Sequence, residues 1–420
     1  MFNGNHVMLP SLTGKILLIN QAFYPDVMAT AQYLTDLAVA LAEAGHEVHV
    51  LASRRGYAAP YPVYPPKETY RGIKINRICP FLFGRKHKLS RILNACIINL
   101  AFGWHLLWQS DFDRVVAMTN PPLVAGFALI FSKLKKIKFI YWMMDINPDQ
   151  AIEAGWVRKN SLAARFFEWV LLKILKGSDK IIVLDRFMKE RIIRKGICTE
   201  KVNALPLWAL SEGLTETEPN TNPFRITHGL NGKFVVMYSG NLSLCHPLDT
   251  VLDAALRFQN DASIAFVFIG GGERFPEALA FKQKHNLNQM ICLPYQERSR
   301  LSHSLGAADL HVVTMGAPYV GILHPSKIYG ILATHRPFVF VGPDESPIAD
   351  LIREKQRGYQ VDHGNVDGFM KIVMQVKNEN LRGRTDIKES TESGVESVAA
   401  EITDGQPNSL MKPDLELVRQ

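Results

Sequence analysis

Cysteine is scarce in this chain and scattered: Cys79, Cys96, Cys198, Cys245 and Cys292 are five in 420 residues. None forms a CxxC pair, which leaves no zinc ribbon and no disulfide framework and favours a reduced, cytoplasmic protein. Long apolar runs are also missing. Nothing reaches the ~18–20 uninterrupted apolar residues of a membrane span. The opening segment, MFNGNHVMLPSLTGK, lacks the basic-then-apolar layout of a secretion signal. There is no GxGxxG after the first strand, which argues against a standard dinucleotide-binding dehydrogenase, and no GxxxxGK[ST], so no P-loop. No carboxylate pair stands at hydrolase spacing, no metal-ligand set is expected, and no internal repeat is obvious.

What is present is an alternation. KILLIN (Lys15 to Asn20), a helix over Thr30 to Ala44 and EVHVLAS (Glu47 to Ser53) make one strand–helix–strand unit of a parallel sheet. Similar units follow as far as KVNALPL (Lys201 to Leu207). A polar, Pro- and Asn-containing stretch over 211–232 reads as a linker, and a second alternating set opens with FVVMYSGN (Phe234 to Asn241). The expected organisation is an α/β chain with one Rossmann-like domain over 1–210 and another over 233–377. A polar tail over 378–420, with room for one short helix, is expected to be floppy. Two such domains in series hold a ligand in the cleft between them, at the C-terminal ends of the strands.

Charge is uneven as well. Lys and Arg number 48 against 40 Asp and Glu, and the positive clusters lie between Arg71 and Lys195, notably RKHK (Arg85 to Lys88) and KLKKIK (Lys133 to Lys138). A basic half suits an anionic partner. FFEWVLLKILK (Phe166 to Lys176) and SRILNACIINLAFGWHLLW (Ser90 to Trp108) fit interfacial helices on an anionic membrane, or equally core-facing helices of an ordinary Rossmann-like domain. The basic residues are not interleaved on any nucleic-acid module, so no nucleic acid is expected.

The chain's most informative stretch runs from Ala307 to Pro343: strand, glycine-bearing loop, helix, strand. Its helix is expected to begin at Pro325 or Ser326 and to end near Thr334. A helix start with Ser326 and Lys327 suits an anion, and Gly321 and His324 precede it. The plain alternative is a buried helix between two strands. Elsewhere Gly240 and Asn241 close one strand and Gly270, Gly271 and Gly272 close the next; glycine there permits close approach of a ligand or merely a turn. Asp145 ends KFIYWMMD, as a site residue or as a turn residue before Pro148.

Several segments in order, among them QAFYPDVMATAQYLTDLAVALAEAGHEVHVLAS, MMDINPDQAIEAGW, MYSGNLSLCHPLDTVLDAA, FVFIGGGERF and VGILHPSKIYGILATHRPFVFVGP, carry a resemblance. The chain resembles the retaining glycosyltransferases of family 4, nearest to the bacterial exopolysaccharide, colanic-acid or O-antigen type, over about residues 15–377. The resemblance implies the GT-B fold of two facing Rossmann-like domains. It implies a nucleotide diphosphate sugar as donor, no required metal or other cofactor, and a glycan or polyprenyl-diphosphate-linked acceptor, reached from the inner face of the plasma membrane. Position by position, it implies that Gly271, Gly272, Tyr295 and Gln296 meet the base and ribose. Gly240, Asn241, His246, Pro325, Ser326 and Lys327 would surround the diphosphate, and Gly321 and His324 would face the sugar. The loop Val27 to Ala31, with Ala29 and Thr30, and Asn147 would lie on the acceptor and phosphate side. Lys327, His324 and Asp145 are the expected catalytic residues.

Departures are plain too. The family carries two glutamates with seven residues between them, and the corresponding positions here are Ile322 and Gly330. Its phosphate-binding Arg and Lys, near Asn241 and His246, are replaced, and alanines replace glycines in VMATAQ. Lys327 and His246 are the candidates to supply the missing charge. An inactive donor-binding partner and a non-hydrolysing nucleotide-sugar epimerase are the alternatives; the oligomeric state is not legible.

Overall fold

A computed structural model describes residues 14–26, 28–56, 62–78, 88–109, 111–208, 219–297, 300–382 and 394–403. Val27, most of RKHK, the first part of the linker and most of the polar tail lie outside them.

The first half builds an eight-stranded sheet in the order β3-β4-β2-β1-β5-β6-β7-β8. Its strands are β1 (Lys15–Ile19), β2 (Glu47–Ser53), β3 (Lys67–Tyr70), β4 (Ile73–Ile78), β5 (Arg114–Ala117), β6 (Lys138–Trp142), β7 (Lys180–Val183) and β8 (Val202–Ala204). All neighbours are parallel except β3, which pairs antiparallel with β4 through Tyr70 opposite Ile73. KETY is polar and half exposed along an edge, so it has no apolar alternation to announce it.

The helices are α1 (Ala29–Glu43), α2 (Lys88–Leu107), α3 (Val124–Lys135), α4 (Asp149–Glu153), α5 (Leu162–Gly177) and α6 (Arg186–Arg194). Strand order runs one way from β1 to β2 and the other way from β5 to β7. Right-handed crossovers therefore put α1 on one face and α2, α3 and α5 on the other. The latter layer is tight: a Cβ at Gly103 of α2 would sit 2.4 Å from the Phe127 ring of α3, and one at Gly177 of α5 2.8 Å from Leu129.

The second half builds a parallel six-stranded sheet, order β11-β10-β9-β12-β13-β14. Its strands are β9 (Phe234–Asn241), β10 (Ile264–Gly271), β11 (Met290–Leu293), β12 (Leu310–Thr314), β13 (Phe338–Val341) and β14 (Tyr359–Val361). β11 stops at Leu293, short of the expected Gln296, because Pro294 has no N–H to extend the ladder. The helices are α7 (Pro223–Thr227), α8 (Asp249–Arg257), α9 (Phe275–His285), α10 (Leu301–Gly306), α11 (Lys327–Leu332), α12 (Pro347–Lys355) and α13 (Val366–Arg382). α7 lies inside the stretch read as linker; Asn222 caps it, accepting from the N–H of Phe224 and Arg225, and the buried Arg225 bonds the Ala307 carbonyl and pairs with Asp309.

The last described helix, α14 (Gly394–Thr403), returns to the first sheet beside α1. Val398 and Ile402 are fully buried there. Lys180 Nζ reaches Glu401 Oε1 at 2.8 Å, Asn203 donates to the same carboxylate at 2.7 Å, and Arg114 bonds the Thr403 carbonyl at 3.2 Å. Part of the stretch read as a floppy tail thus completes the first domain's outer layer.

Candidate active site

Strand order reverses between β9 and β12 in the second sheet, and between β1 and β5 in the first. Such switch points open a crevice beyond the strands' C-terminal ends. The candidate residues collect at these two edges.

On the second sheet β9 ends in Ser239-Gly240-Asn241 and β10 in Gly270-Gly271, with Gly272 following. The glycines are required where they stand. A Cβ at Gly270 (φ 142°) would lie 2.0 Å from the Gly240 carbonyl oxygen, and one at Gly272 (φ 112°) 2.2 Å from Asn241 Oδ1. At Gly271 a Cβ would meet the Tyr295 ring at 3.0 Å, so the half-exposed ring leans on bare backbone. Gln296 folds back onto the Pro294 carbonyl at 3.0 Å.

Lys327 reaches into this edge. Its side chain passes over Gly240, where a Cβ would sit 3.4 Å from Lys327 Cε, and its ammonium donates to the Tyr238 hydroxyl and lies 3.8 Å from that ring's centre. Tyr238 in turn donates to the Asn241 carbonyl at 2.9 Å, and burial keeps its hydroxyl neutral by raising its pKa well above the usual value. No carboxylate is among these contacts. Burial therefore lowers the Lys327 pKa to about 7.

His246 is fully enclosed beside Lys327 and its Nδ1 donates to the Thr314 carbonyl at 2.5 Å. Burial and then the Lys327 charge drive its pKa well below the ordinary histidine value. It is neutral, so the expectation that it shares the positive charge fails; Lys327 carries that charge alone.

The helix behind Lys327 is shorter than expected. α11 has six residues, Ser326 makes no side-chain cap bond, and the Ile328 and Tyr329 N–H groups already bond the Pro325 and Ser326 carbonyls at 3.2 Å. So short a helix has little macrodipole. The positive end here is the lysine itself.

Gly321 and His324 occupy the seam between the domains. Gly321 has φ 71°, and a Cβ there would lie 2.8 Å from the Phe187 carbonyl oxygen of α6. His324 Nδ1 donates to Asp185 Oδ2 at 2.9 Å, and Nε2 meets the Tyr329 hydroxyl at 3.2 Å. Both ring nitrogens are engaged, so in this arrangement neither is aimed into the cleft. Asp185 also caps α6, accepting from the Met188 N–H at 2.8 Å.

The same seam brings Asp145 to the second domain. Asp145 forms an antiparallel bridge with Leu323, and the Ile146 N–H donates to the Ile322 carbonyl at 2.8 Å. Desolvation raises its carboxyl to about 6, against hydrogen bonds from Thr119 and Asn147. Asn147 Nδ2 lies 3.3 Å from Asp145 Oδ1. Across the first sheet's edge, Ala29 and Thr30 open α1 without a side-chain cap, and the enclosed Thr30 Oγ1 has no partner. Among the described residues no group of three or more His, Cys, Asp or Glu converges as a metal ion needs.

Residues 29–208 match the family profile described as "Glycosyl transferase 4-like domain". A putative colanic acid biosynthesis glycosyl transferase, WcaI of Escherichia coli K12, is 25% identical over 340 residues, 76% of this chain and 81% of that one. A probable glycosyltransferase, WbjE of Pseudomonas aeruginosa, is 26% identical over 63% of this chain and 66% of its own. The chain belongs to the family-4 glycosyltransferases.

Its fold is theirs as well. WaaG, a glycosyltransferase of lipopolysaccharide biosynthesis, superposes with a TM-score of 0.66 at 14% identity, over 93% of this chain and all of WaaG (100%). Anabaena HepE, solved with UDP and glucose, gives 0.64 at 15% identity over 93% and 95% of the two chains. The GT-B architecture expected from the sequence is thereby shown. In this transferase, reading the sequence brings Lys327, Asp145 and the glycine strand ends to one cleft and misses Asp185 and Tyr238. Asp185 ends an apolar strand 139 residues from His324; only its position at a strand end hints at a role. Tyr238 alternates with core residues inside β9 and carries no signal at all.

Proposed function

We propose that the protein transfers a sugar, with retention of configuration, from a nucleotide diphosphate sugar to a glycan or polyprenyl-diphosphate-linked acceptor in cell-surface polysaccharide synthesis. The observation that carries this is the pairing of Asp145 with Leu323, four residues before Lys327. It joins a carboxylate from the first domain to the loop that bears the second domain's unpaired ammonium.

Breaking a glycosyl phosphate bond needs charge neutralised on the departing diphosphate. In this reading the ammonium of Lys327 and the N–H groups around the glycine strand ends supply that stabilisation, an electrostatic form of catalysis. Tyr295, leaning on Gly271 with one face outward, supplies a surface for the base. Asp145 orients the sugar or the acceptor hydroxyl, and its carboxylate balances the positive charge that develops on the sugar ring. No other cofactor is called for in this scheme. His324 acts by position: it holds the 321–327 loop to Asp185 and so sets where Lys327 stands. The same reading puts the protein at the cytoplasmic face of a membrane.

The test is thermal shift with UDP, GDP and ADP and their sugars, on wild type and Lys327→Ala. One diphosphate should stabilise the wild type as the logarithm of its concentration, and the variant should fold yet lose most of that shift and most turnover. Equal shifts in both proteins would refute the role of Lys327. Hydrolysis or epimerisation of the sugar without an acceptor would refute transfer.

A further inference from the structure

The apolar surface of the molecule is concentrated on one face. Among the described residues sixteen large hydrophobic side chains are exposed, and ten of them lie on α2, α3 and α5 or on Trp108, just past α2. These helices form the single tight layer described above. Their apolar positions make stripes rather than scatter. On α5, Leu162, Phe166 and Trp169 are spaced as one helical face that continues into Lys173 and Lys176. Leu162 is 83% exposed and Trp169 56%. On α2, Trp104 follows the same face and packs edge-on against Trp108, which is 74% exposed, at 5.7 Å.

Charge on this layer has one sign. The three helices carry seven Lys and Arg (two, two and three) and one acid, Glu168. Glu168 is already paired with Lys195 of α6 at 2.9 Å. Lys133 and Lys135 end α3, and Lys173 lies 5.8 Å from the Trp169 ring centre. The layer therefore presents indole and leucine flanked by lysine with no uncompensated carboxylate. A contact between folded proteins favours aromatic anchors with mixed charge around them. An unrelieved positive sign around exposed tryptophan matches the interfacial zone of an anionic bilayer.

We infer that the outer face of α2, α3 and α5 is a membrane-docking surface, which seats its Trp, Phe and Leu side chains among the headgroups of an anionic bilayer and its lysines against lipid phosphates. α5 starts from the sheet edge at which β6 and Asp145 end, because β6 and β7 are parallel and the helix must run back between them. The apolar end of the α5 stripe thus lies on the cleft side of the molecule. Docking there brings the cleft's first-domain edge toward the bilayer, where a lipid-linked acceptor presents its diphosphate. In that respect the inference deepens the functional reading; the surface itself stands without it.

The test is sedimentation of the full chain with vesicles of equal parts phosphatidylglycerol and phosphatidylcholine, and with phosphatidylcholine alone. Wild type should bind the anionic vesicles and bind the neutral ones far more weakly. Lys173→Glu with Lys176→Glu should weaken binding at least roughly tenfold, since each basic residue near such a surface is worth about a fivefold change in affinity. Trp104→Ala with Trp108→Ala and Trp169→Ala should leave a weaker association that is lost when salt rises from about 0.1 to 1 M, which cuts the screening length from roughly 10 to 3 Å. Both variants change exposed side chains and should keep the melting temperature and its nucleotide-induced rise, which separates this inference from the donor site. Wild type that fails to bind anionic vesicles would overturn the inference. So would variants that bind undiminished, or a wild-type dimer in solution that the tryptophan substitutions dissociate.

Discussion

At the scale of single residues, Lys327 meets two opposed demands. Its pKa near 7, against a model value of 10.5, means that the folded protein releases a proton which the unfolded chain keeps between those values. Folding stability attributable to this group therefore rises with pH from about 7 upward, and below 7 the buried ammonium is a cost. Lys327→Met should raise the melting temperature of the ligand-free protein at pH 7 by a few degrees while abolishing turnover. Calorimetry beside an activity assay checks both. A bound diphosphate reverses the shift, because a neighbouring anion favours the ammonium. The pH dependence of kcat/KM, which reports the free enzyme, should then be a bell. Its acid limb lies near 6, where Asp145 ionises, and its alkaline limb near 7, where Lys327 discharges. In kcat the alkaline limb should move upward, and in Asp145→Asn the acid limb should vanish with a loss of at least roughly tenfold in rate. Asp145 has the opposite linkage: with its pKa raised to about 6, stability from this group falls as pH rises from about 4 through 6.

At the scale of elements, the ends of β9 and β10 are the most constrained backbone of the site. Gly270→Ala places a methyl group 2.0 Å from the Gly240 carbonyl oxygen at a left-handed φ. It should destabilise the second domain by more than about 2 kcal/mol, measured by urea unfolding, and should weaken nucleotide binding more than Gly364→Ala, where a Cβ meets nothing. These turns were legible beforehand because glycine runs at strand ends have few other uses, and the β9–β14 series was legible because buried parallel strands are continuous apolar runs. Other elements were not. β3 is a polar edge strand whose pairing is decided by β4, α7 depends on Asn222 capping inside a polar stretch, and α11 is cut to six residues. His246 and His324 illustrate the same limit at the site. Each has its role fixed by one distant partner, the Thr314 carbonyl and Asp185, which strand-by-strand reading does not bring together.

At the scale of the whole molecule, the two domains are held by a short seam: the Asp145–Leu323 bridge, the His324–Asp185 pair and the exposed Arg186 cluster with Asp350 at 2.5 Å and Glu345 at 3.2 Å. The exposed pairs are worth little each, so the enclosed His324–Asp185 bond is the one to cut. Asp185→Ala should lower kcat several-fold and widen the distribution of cleft opening seen by small-angle scattering, while the circular dichroism of the sheets stays unchanged. Replacing Arg186 by Ala should do neither. The seam also locates the chemistry, because the residues that hold the domains together alternate along the chain with those assigned to the sugar and the diphosphate.

The return of α14 to the first sheet has a consequence for how the protein is made. Trp208 stacks on Trp142, 6.0 Å between ring centres, and Gly394 at the start of α14 packs against Trp208. The helix that seals this corner leaves the ribosome only after the entire second domain, at about 5–20 residues per second tens of seconds later. Until then the nascent first domain shows the growing chain an open groove beside α1, where Val398 and Ile402 will lie. That groove gives a holdase chaperone its natural landing place during synthesis, and the second domain must fold while its elder neighbour is still unsealed.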